Sequence, residues 1–420
     1  RKVSKVSHTK HHSFCIRMSL ATIFLGMVLG TLLLRSSAFT FSPASQLRFQ
    51  KRQLASLRAA QKVVFLGTPD VAARSLEQLH SAAEKSSGSF EVSCVISQPA
   101  QMMGRGKKRV LTPSPVEAMA TTLGIPVLSP EKAKDEGFLQ SLEAMCPDLC
   151  ITAAYGQYLP KRFLNIPRCG TLNIHPSLLP RWRGASPVQR SLEAGDEETG
   201  VSVLWTVSKM DAGNIAAQER KVLAGSEKAP ELLNELFATG TRSLIELLPR
   251  VWSGECTPST SKPQAEEGVV AADKITVEEA QVNFSVDTAR DIHNKVRGFA
   301  GWPGVVAYLS GGDTEETPER YKLVTTRVAA IEDLAETTSF SADTASMPWT
   351  NDVIVERGRM FILSAPDSKE AAAPYELFSV LEVLEIQAEA KKAVNAKAFT
   401  NGLRGKKLRW LPLESNGGLL

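Results

Sequence analysis

The chain has 420 residues, which is long enough for two domains and further segments. Hydrophobic residues make up 43% and charged residues 22%, as is ordinary for a globular enzyme. Eleven of the 49 lysines and arginines lie in residues 1–62, where there is no aspartate or glutamate, so the net charge of +4 becomes −7 over residues 63–420. This balance excludes a folded part that is basic overall, and nucleic acid would have to be bound by local basic patches.

Residues 1–61 predict a targeting leader. An uncharged, mostly apolar run at 18–34 is followed by small residues at 36–38, which is the outline of a signal peptide. Residues 39–62 are basic and free of acid, like a transit peptide. We therefore expect delivery to the stroma of a complex plastid, with no stable membrane association after cleavage. A membrane anchor and a presequence for the mitochondrial matrix are the alternatives.

Residues 62–253 alternate short apolar strands with helical segments. The predicted strands are Lys62–Leu66, Phe90–Ile96, Pro126–Leu128, Leu149–Ala154 and Thr171–His175, and the predicted helices are Val71–Ala83, Pro115–Leu123 and Glu131–Met145, with Thr68 as the cap of the first. This alternation predicts an α/β fold with a doubly wound, Rossmann-like parallel sheet. The first turn is not GxGxxG, and no acid follows at dinucleotide spacing, so we do not expect a nicotinamide dinucleotide.

Asn173 and His175 lie two residues apart on the last of these strands and therefore share one face of it. In open α/β sheets, ligands bind beyond the carboxyl ends of the strands. Both side chains are thus candidates for a functional site, although a single histidine at a strand end is more often structural.

The segment Leu172–Gly184 (LNIHPSLLPRWRG) and the sequence after it (ASPVQRSLEAGDEETGVSVLWTVSKMDAGNI) resemble the signature of the 10-formyltetrahydrofolate-dependent formyltransferases, and within them the methionyl-tRNA formyltransferases. The motifs VVFLGTPD, GRGKK, PSPV and AAYGQYLP extend the resemblance over residues 62–225. It implies transfer of a formyl group from 10-formyltetrahydrofolate to the amino group of initiator methionyl-tRNA, which together with the leader indicates organellar translation initiation.

The resemblance implies a catalytic set of Asn173, His175 and Asp211, and a folate-binding loop formed by Ser177, Leu178, Leu179 and Pro180. The chemistry of acyl transfer agrees with this set. An amine attacks the formyl carbon, an oxyanion forms, and a proton must leave the nitrogen. The amide and the imidazole can donate to the oxyanion, and the carboxylate can orient the histidine and accept the proton through water.

Four cations and two glycines are packed into Gly104–Arg109. Such a run by itself is typical of a solvated loop. The resemblance implies that this loop reaches the acceptor end of tRNA, with Arg105, Lys107, Lys108 and Arg109 as tRNA-binding residues. The preceding segment, Pro99–Met103, lacks the Asp-Arg-Pro usual in the family, which predicts a different hinge.

A second domain is predicted at 276–416, after a polar linker at 254–275. The predicted strands, separated by turn residues, are Val305–Leu309, Lys322–Val328, Val353–Val355, Met360–Leu363 and Phe378–Ile386. They predict a small β-barrel. The resemblance implies an OB-like barrel that helps to hold tRNA.

Cys146 and Cys150 are the only close cysteine pair, without a second pair or a nearby histidine, so we expect no metal site. We expect a monomer. The alternative functions are a folate-dependent formyltransferase acting on an amino sugar or glycinamide ribonucleotide, a hydrolase of formyltetrahydrofolate, and a catalytically inactive RNA-binding homologue. The basic loop and the barrel argue against the first, and the intact set of Asn173, His175 and Asp211 argues against the last.

Overall fold

The computed structural model describes residues 60–104, 109–311, 318–337, 350–367 and 378–411, so residues 1–59 of the predicted leader lie outside the described residues. The first domain contains strands β1 (Gln61–Gly67), β2 (Phe90–Ile96), β3 (Gln101–Met103), β4 (Val110–Thr112), β5 (Val127–Leu128), β6 (Leu149–Ala153), β7 (Thr171–His175), β8 (Arg183–Gly184), β9 (Glu198–Trp205), β10 (Ile215–Val222) and β11 (Ala271–Ala272). Its helices are α1 (Asp70–Lys85), α2 (Pro115–Thr122), α3 (Glu136–Met145), α4 (Lys161–Leu164), α5 (Pro187–Glu193) and α6 (Ala229–Trp252).

Seven of these strands form one sheet in the order β5-β2-β1-β6-β7-β9-β10. The five strands from β5 to β7 are parallel, and β9 and β10 continue the sheet in antiparallel pairing. The chain winds outward in one direction from β1 through β2 to β5, and in the other from β6 to β7. The prediction of a doubly wound, Rossmann-like sheet is confirmed, and its switch point lies between β1 and β6.

Apolar side chains cover both faces of the sheet because successive residues of a strand point to opposite sides. Val63 and Phe65 of β1 belong to the core that includes α1 and α6. Val64 and Leu66 belong to the core on the other face, with α3 and Phe163. The sheet is thereby fixed between two helical layers, and its carboxyl edge becomes a rigid platform for the loops that follow the strands.

Two local predictions in this domain are wrong. Thr68 does not cap α1, whose cap residue is Pro69, because the Thr68 hydroxyl instead donates to the carbonyl of Tyr155 at 2.9 Å. Helix α3 begins at Glu136 rather than Glu131, after Asp135, whose carboxylate accepts from the Lys132 N–H at 3.1 Å in a turn.

The second domain contains strands β12 (Val305–Gly311), β13 (Glu319–Ala329), β14 (Asp352–Glu356), β15 (Arg359–Ser364), β16 (Ser379–Ala388), β17 (Val394–Asn395) and β18 (Leu408–Trp410), with helices α7 (Ala289–Gly298), α8 (Ile331–Thr337) and α9 (Ala396–Leu403). Strands β13, β12, β18, β14, β15 and β16 pair in that order, and β16 pairs with β13 again. The result is a closed antiparallel barrel of six strands, so the prediction of a small barrel is confirmed.

The segment 254–275, predicted as a linker, packs against the first domain. Lys262 and Ile215 exchange two backbone hydrogen bonds, at 2.8 and 3.1 Å. The Trp205 indole donates to the Ser261 hydroxyl at 2.8 Å, and β11 pairs in parallel with β8. Residues 261–272 therefore form an ordered segment along the first domain, which we call the return segment.

Polar contacts join the two domains beyond the return segment. Arg190 of α5 forms an ion pair with Glu279 at 2.6 Å, and the Lys228 ammonium donates to the Val324 carbonyl at 3.0 Å. His293 Nε2 lies 3.0 Å from the carbonyl of Gly225, and burial, the largest effect, lowers the pKa of this imidazole. A neutral His293 therefore bridges the domains at neutral pH. No helix within the described ranges is both long and apolar enough to cross a membrane.

Candidate active site

The predicted catalytic side chains meet at the carboxyl edge of the sheet. Asn173 and His175 project from the end of β7, and Asp211 lies in the turn between β9 and β10. His175 is only 4% exposed. Its Nδ1 lies 3.7 Å from Oδ2 of Asp211, which is ion-pair distance but longer than a hydrogen bond. The structure thus brings all three predicted residues into one cluster, one strand away from the switch point.

Asn173 is oriented by its neighbour in the sheet. The parallel register of β6 and β7 places Thr152 opposite Asn173, and the Thr152 hydroxyl donates to Asn173 Oδ1 at 2.7 Å. Since the amide oxygen is engaged, the amide N–H₂ is the group that Asn173 presents elsewhere. The sheet therefore supplies a donor in a fixed orientation, as an oxyanion site requires.

Thr152→Val is expected to lower the rate of the chemical step about tenfold while leaving the fold intact. Valine keeps the β-branched shape that suits a buried strand, but it leaves Asn173 Oδ1 without its donor, so the amide can turn. Single-turnover kinetics measure the effect. Thr171→Val is the matched control, because the buried Thr171 hydroxyl has no hydrogen-bond partner among the described residues and its loss should leave the rate unchanged. Equal rates for the two variants would contradict the orienting role of Thr152.

The imidazole of His175 is fixed by a backbone carbonyl. Nε2 lies 2.8 Å from the carbonyl oxygen of Trp182. A carbonyl only accepts hydrogen bonds, so Nε2 must carry the proton. Nδ1 is therefore the nitrogen that faces Asp211, and it is the one free to exchange a proton or to donate when the ring is charged.

Asp211 has a left-handed backbone with φ +47°, and two residues, Gly184 and Gln264, hold it in place. Its Oδ2 accepts from the N–H of Gly184 at 3.0 Å. The Gln264 amide of the return segment donates to the carbonyls of Asp211 and Gly213, both at 2.7 Å. Gly184 is itself fixed by the pairing of β8 with β11. The carboxylate is therefore positioned by residues far away in the sequence.

The loop predicted to bind folate is tightly folded. Ser177 is fully buried, and its hydroxyl donates to the Arg181 carbonyl at 2.8 Å. The hydroxyl of Ser202 on β9 donates to the Ser177 carbonyl at 2.7 Å and accepts from the Leu179 N–H at 3.2 Å. Leu179 is buried, whereas Leu178 and Pro180 are half-buried. Ser177 and Leu179 thus hold the loop in shape, and contact with folate stays a prediction.

Burial also raises the pKa values of other reactive side chains on or next to this sheet. Burial raises the pKa of Tyr155, two residues after the end of β6, to about 12, and that of Cys94 on β2 to about 11. It also raises the pKa of Cys150 on β6. These groups stay protonated at neutral pH and are poor nucleophiles or bases. Within the described ranges, no group of three or more His, Cys, Asp or Glu side chains is arranged to hold a metal ion.

The predicted tRNA-binding residues lie apart from the catalytic cluster in the sequence. Arg105, Lys107 and Lys108 lie outside the described residues, and Arg109 is exposed. Strands β3 and β4, which flank this loop, pair as an antiparallel ribbon in which every residue is exposed. Residues 104–109 therefore connect the two strands of an exposed hairpin.

Comparisons with known proteins agree with the fold and the site. The family described as formyl transferase matches residues 61–248, and the family described as formyl transferase, C-terminal domain, matches residues 274–404. The methionyl-tRNA formyltransferase of Macrococcus caseolyticus is 38% identical over 250 residues, which cover 60% of this chain and 76% of that protein. The methionyl-tRNA formyltransferase of Enterococcus faecalis is 32% identical over 342 residues, which cover 81% of this chain and 96% of that protein. The chain therefore belongs to the methionyl-tRNA formyltransferase family of enzymes.

A solved structure supports the fold alone. A sugar 3N-formyl transferase, crystallised in the presence of dTDP and 5-N-formyl-THF, superposes with a TM-score of 0.51 at 13% sequence identity. The match covers 80% of this chain and 100% of that one. Both domains of the present chain are thus included in the shared architecture.

Proposed function

We propose that this enzyme transfers the formyl group of 10-formyltetrahydrofolate to the amino group of methionyl-initiator tRNA. The observation that carries the proposal is the cluster of Asn173, His175 and Asp211 at the carboxyl edge of the sheet, where open α/β folds bind their ligands. The family relationship supports the identity of donor and acceptor.

The first chemical step is attack of the methionine amine on the formyl carbon. The nitrogen lone pair forms the new C–N bond, and the carbonyl π electrons move onto oxygen. Asn173, held through its Oδ1 by Thr152, donates from its amide N–H₂ to this oxyanion. Because the amide is oriented before the reaction, the stabilisation requires no reorganisation when the charge appears.

Proton transfer completes the reaction. The attacking nitrogen loses a proton, the bond from the formyl carbon to N10 of the folate breaks, and N10 gains a proton. Nδ1 of His175 is free for this exchange because Nε2–H is bound to the Trp182 carbonyl. The Asp211 carboxylate, 3.7 Å from Nδ1, stabilises the imidazolium that forms or accepts the proton through water.

A formylation assay with residues 60–420, which form one compact unit, tests the proposal. Charged initiator tRNA, an amino sugar nucleotide and glycinamide ribonucleotide are offered as acceptors with 10-formyltetrahydrofolate as donor. We expect rapid formylation of the tRNA alone. Preference for either small acceptor would replace the proposed acceptor, and inactivity with all three would support an inactive RNA-binding protein.

Arg105→Ala is expected to lower kcat/KM for tRNA about 10- to 100-fold while sparing folate binding, since a guanidinium contact to nucleic acid contributes roughly 1–3 kcal/mol. Steady-state formylation and folate affinity are measured in parallel. Arg250→Ala, which removes an exposed arginine at the end of α6, is the matched control. An equal loss with a small amine acceptor would mean that the loop supports the fold rather than tRNA.

We further propose that the enzyme acts in an organelle, the plastid stroma in preference to the mitochondrial matrix. The acid-free, basic leader with its apolar run supports this assignment. A fusion of residues 18–62 to a fluorescent protein should accumulate in the plastid, with the leader removed. Mitochondrial labelling would favour the alternative compartment, and an uncleaved fusion held in a membrane would overturn both.

A further inference from the structure

The carbonyl that fixes His175 belongs to a residue in an unusual backbone conformation. Trp182 has φ +65°, in the left-handed region that bulky side chains rarely adopt. The direction of its carbonyl depends on this conformation. If Trp182 relaxed to an extended conformation, the oxygen would turn away from His175 Nε2, and the imidazole would lose the group that fixes its tautomer. Something in the fold must hold Trp182 in place.

Asp196 holds the side chain of Trp182 and that of its neighbour. Its Oδ2 accepts from the Trp182 indole N–H at 2.6 Å, from Ser191 Oγ at 3.0 Å and from Arg181 Nε at 3.2 Å, and its Oδ1 accepts from Arg181 Nη2 at 2.8 Å. The Arg181 guanidinium also lies over the Trp182 ring, 4.5 Å from its centre. The Asp196 carboxylate therefore accepts from four donors, and three of them belong to the consecutive residues Arg181 and Trp182.

Asp196 is itself anchored to the elements that carry the site. Its N–H donates to the carbonyl of Ser191 on α5 at 3.1 Å. It stands two residues before β9, the strand whose Ser202 pairs with His175 on β7. The carboxylate thus has a fixed place relative to the imidazole, although it does not touch it.

We propose that Asp196 is a positioning residue for the transfer reaction, holding His175 in the Nε2–H tautomer through Trp182. Asp196 keeps Trp182 in its left-handed conformation, the Trp182 carbonyl accepts the Nε2 proton, and Nδ1 is left to face Asp211 and the reacting nitrogen. The role of Asp196 rests on the function proposed above, whereas its effect on the tautomer is measurable without any turnover.

Asp196→Asn tests the proposal because it keeps the shape and removes one acceptor. An amide N–H₂ in place of either oxygen faces Arg181 or the indole, so that two donors oppose each other. We expect kcat to fall on the order of 10- to 100-fold, as when a residue that orients a reacting group is replaced, with folate and tRNA affinities unchanged. The ¹⁵N NMR signals of His175 in the free enzyme, assigned with His175→Gln, should change from a protonated Nε2 to a mixture of tautomers.

Asp148→Asn is the matched control. Asp148 also accepts from an arginine and a backbone N–H, both at 2.8 Å, but it stands at the amino end of β6, on the opposite edge of the sheet. Its substitution should change neither kcat nor the His175 signals. Trp182→Phe keeps the backbone and a ring but removes the indole N–H, so it should shift the tautomer in the same direction and less far, and it provides the test if Asp196→Asn fails to fold.

Wild-type ¹⁵N signals of His175 in both Asp196→Asn and Trp182→Phe would overturn the proposal, whatever the activity. An equal loss of kcat in Asp148→Asn would overturn it as well, because the loss would then reflect general stability. If the wild-type enzyme were inactive in formylation but the tautomer still shifted, the proposed function would fail while the structural coupling stood.

Discussion

Replacing His175 with alanine is expected to slow formyl transfer by roughly 10²–10³-fold, because it removes the group whose Nδ1 exchanges the proton, and general acid–base catalysis contributes a factor of about this size. Asn173→Ala should cost a similar factor, because it removes the donor that Thr152 orients. Asp211→Asn keeps the shape but removes the charge and the proton acceptor, so it should lose at least as much. All three variants should fold, since each side chain projects from an intact backbone.

The three losses should be strongly non-additive, because the residues act together on one oxygen and one proton. Single-turnover formylation by each variant and by the triple variant, with folate and tRNA affinities measured in parallel, gives the result. We expect the single-turnover rate of the triple variant to be no lower than that of the slowest single variant. Near-full rates in the single variants, or losses that follow affinity alone, would show that the chemistry lies elsewhere.

Gly213→Ala should abolish most of the activity and lower the free energy of unfolding by several kcal/mol, since steric overlap in a packed interior costs about 1–3 kcal/mol or more. A Cβ at Gly213 would lie 1.6 Å from the carbonyl oxygen of Trp205 and 2.8 Å from its carbon. Both neighbours are backbone atoms of β9 and cannot rotate away. The turn that carries Asp211 must therefore shift, and with it the Gln264 contacts to the Asp211 and Gly213 carbonyls.

Gly137→Ala is the control for the glycine substitution. Gly137 lies in α3 with no atom near its added Cβ, and alanine should stabilise a helix by about 0.5–1 kcal/mol relative to glycine. Denaturant unfolding should show that Gly213→Ala is less stable and Gly137→Ala more stable than the wild type, and the single-turnover rate should fall only in Gly213→Ala. A Gly213→Ala enzyme with normal stability and rate would show that the turn tolerates movement and that the position of Asp211 is not critical.

The sequence predicted those parts of the site that depend on local periodicity. Asn173 and His175 share a face because the side chains of a strand alternate, and the alternation of strands and helices placed that strand end at a binding edge. The proximity of Asp211 to His175 followed from the family resemblance alone, since a residue in a turn gives no periodic signal. The Thr68 cap was wrong because a tertiary contact with Tyr155 took its hydroxyl.

Other supporting residues could not be predicted, because their contacts join distant parts of the chain. Thr152 reaches Asn173 only through the register of two parallel strands. Gln264 contacts Asp211 across 53 residues, from a segment whose composition indicates only a linker. The role of the Trp182 carbonyl depends on a left-handed backbone conformation, which the presence of a tryptophan in the sequence does not predict.

The return segment has a consequence for how such two-domain enzymes can be recombined. The boundary of the catalytic fold lies near the end of α6, but the residues that support the Asp211 carboxylate continue through Gln264 to the end of β11 at Ala272. A chimera joined near residue 254 would exchange not only the barrel but also the hydrogen bonds beneath Asp211. To keep the active site and its supporting hydrogen bonds together, the junction of a chimera must therefore lie after the return segment, between Ala272 and the second domain.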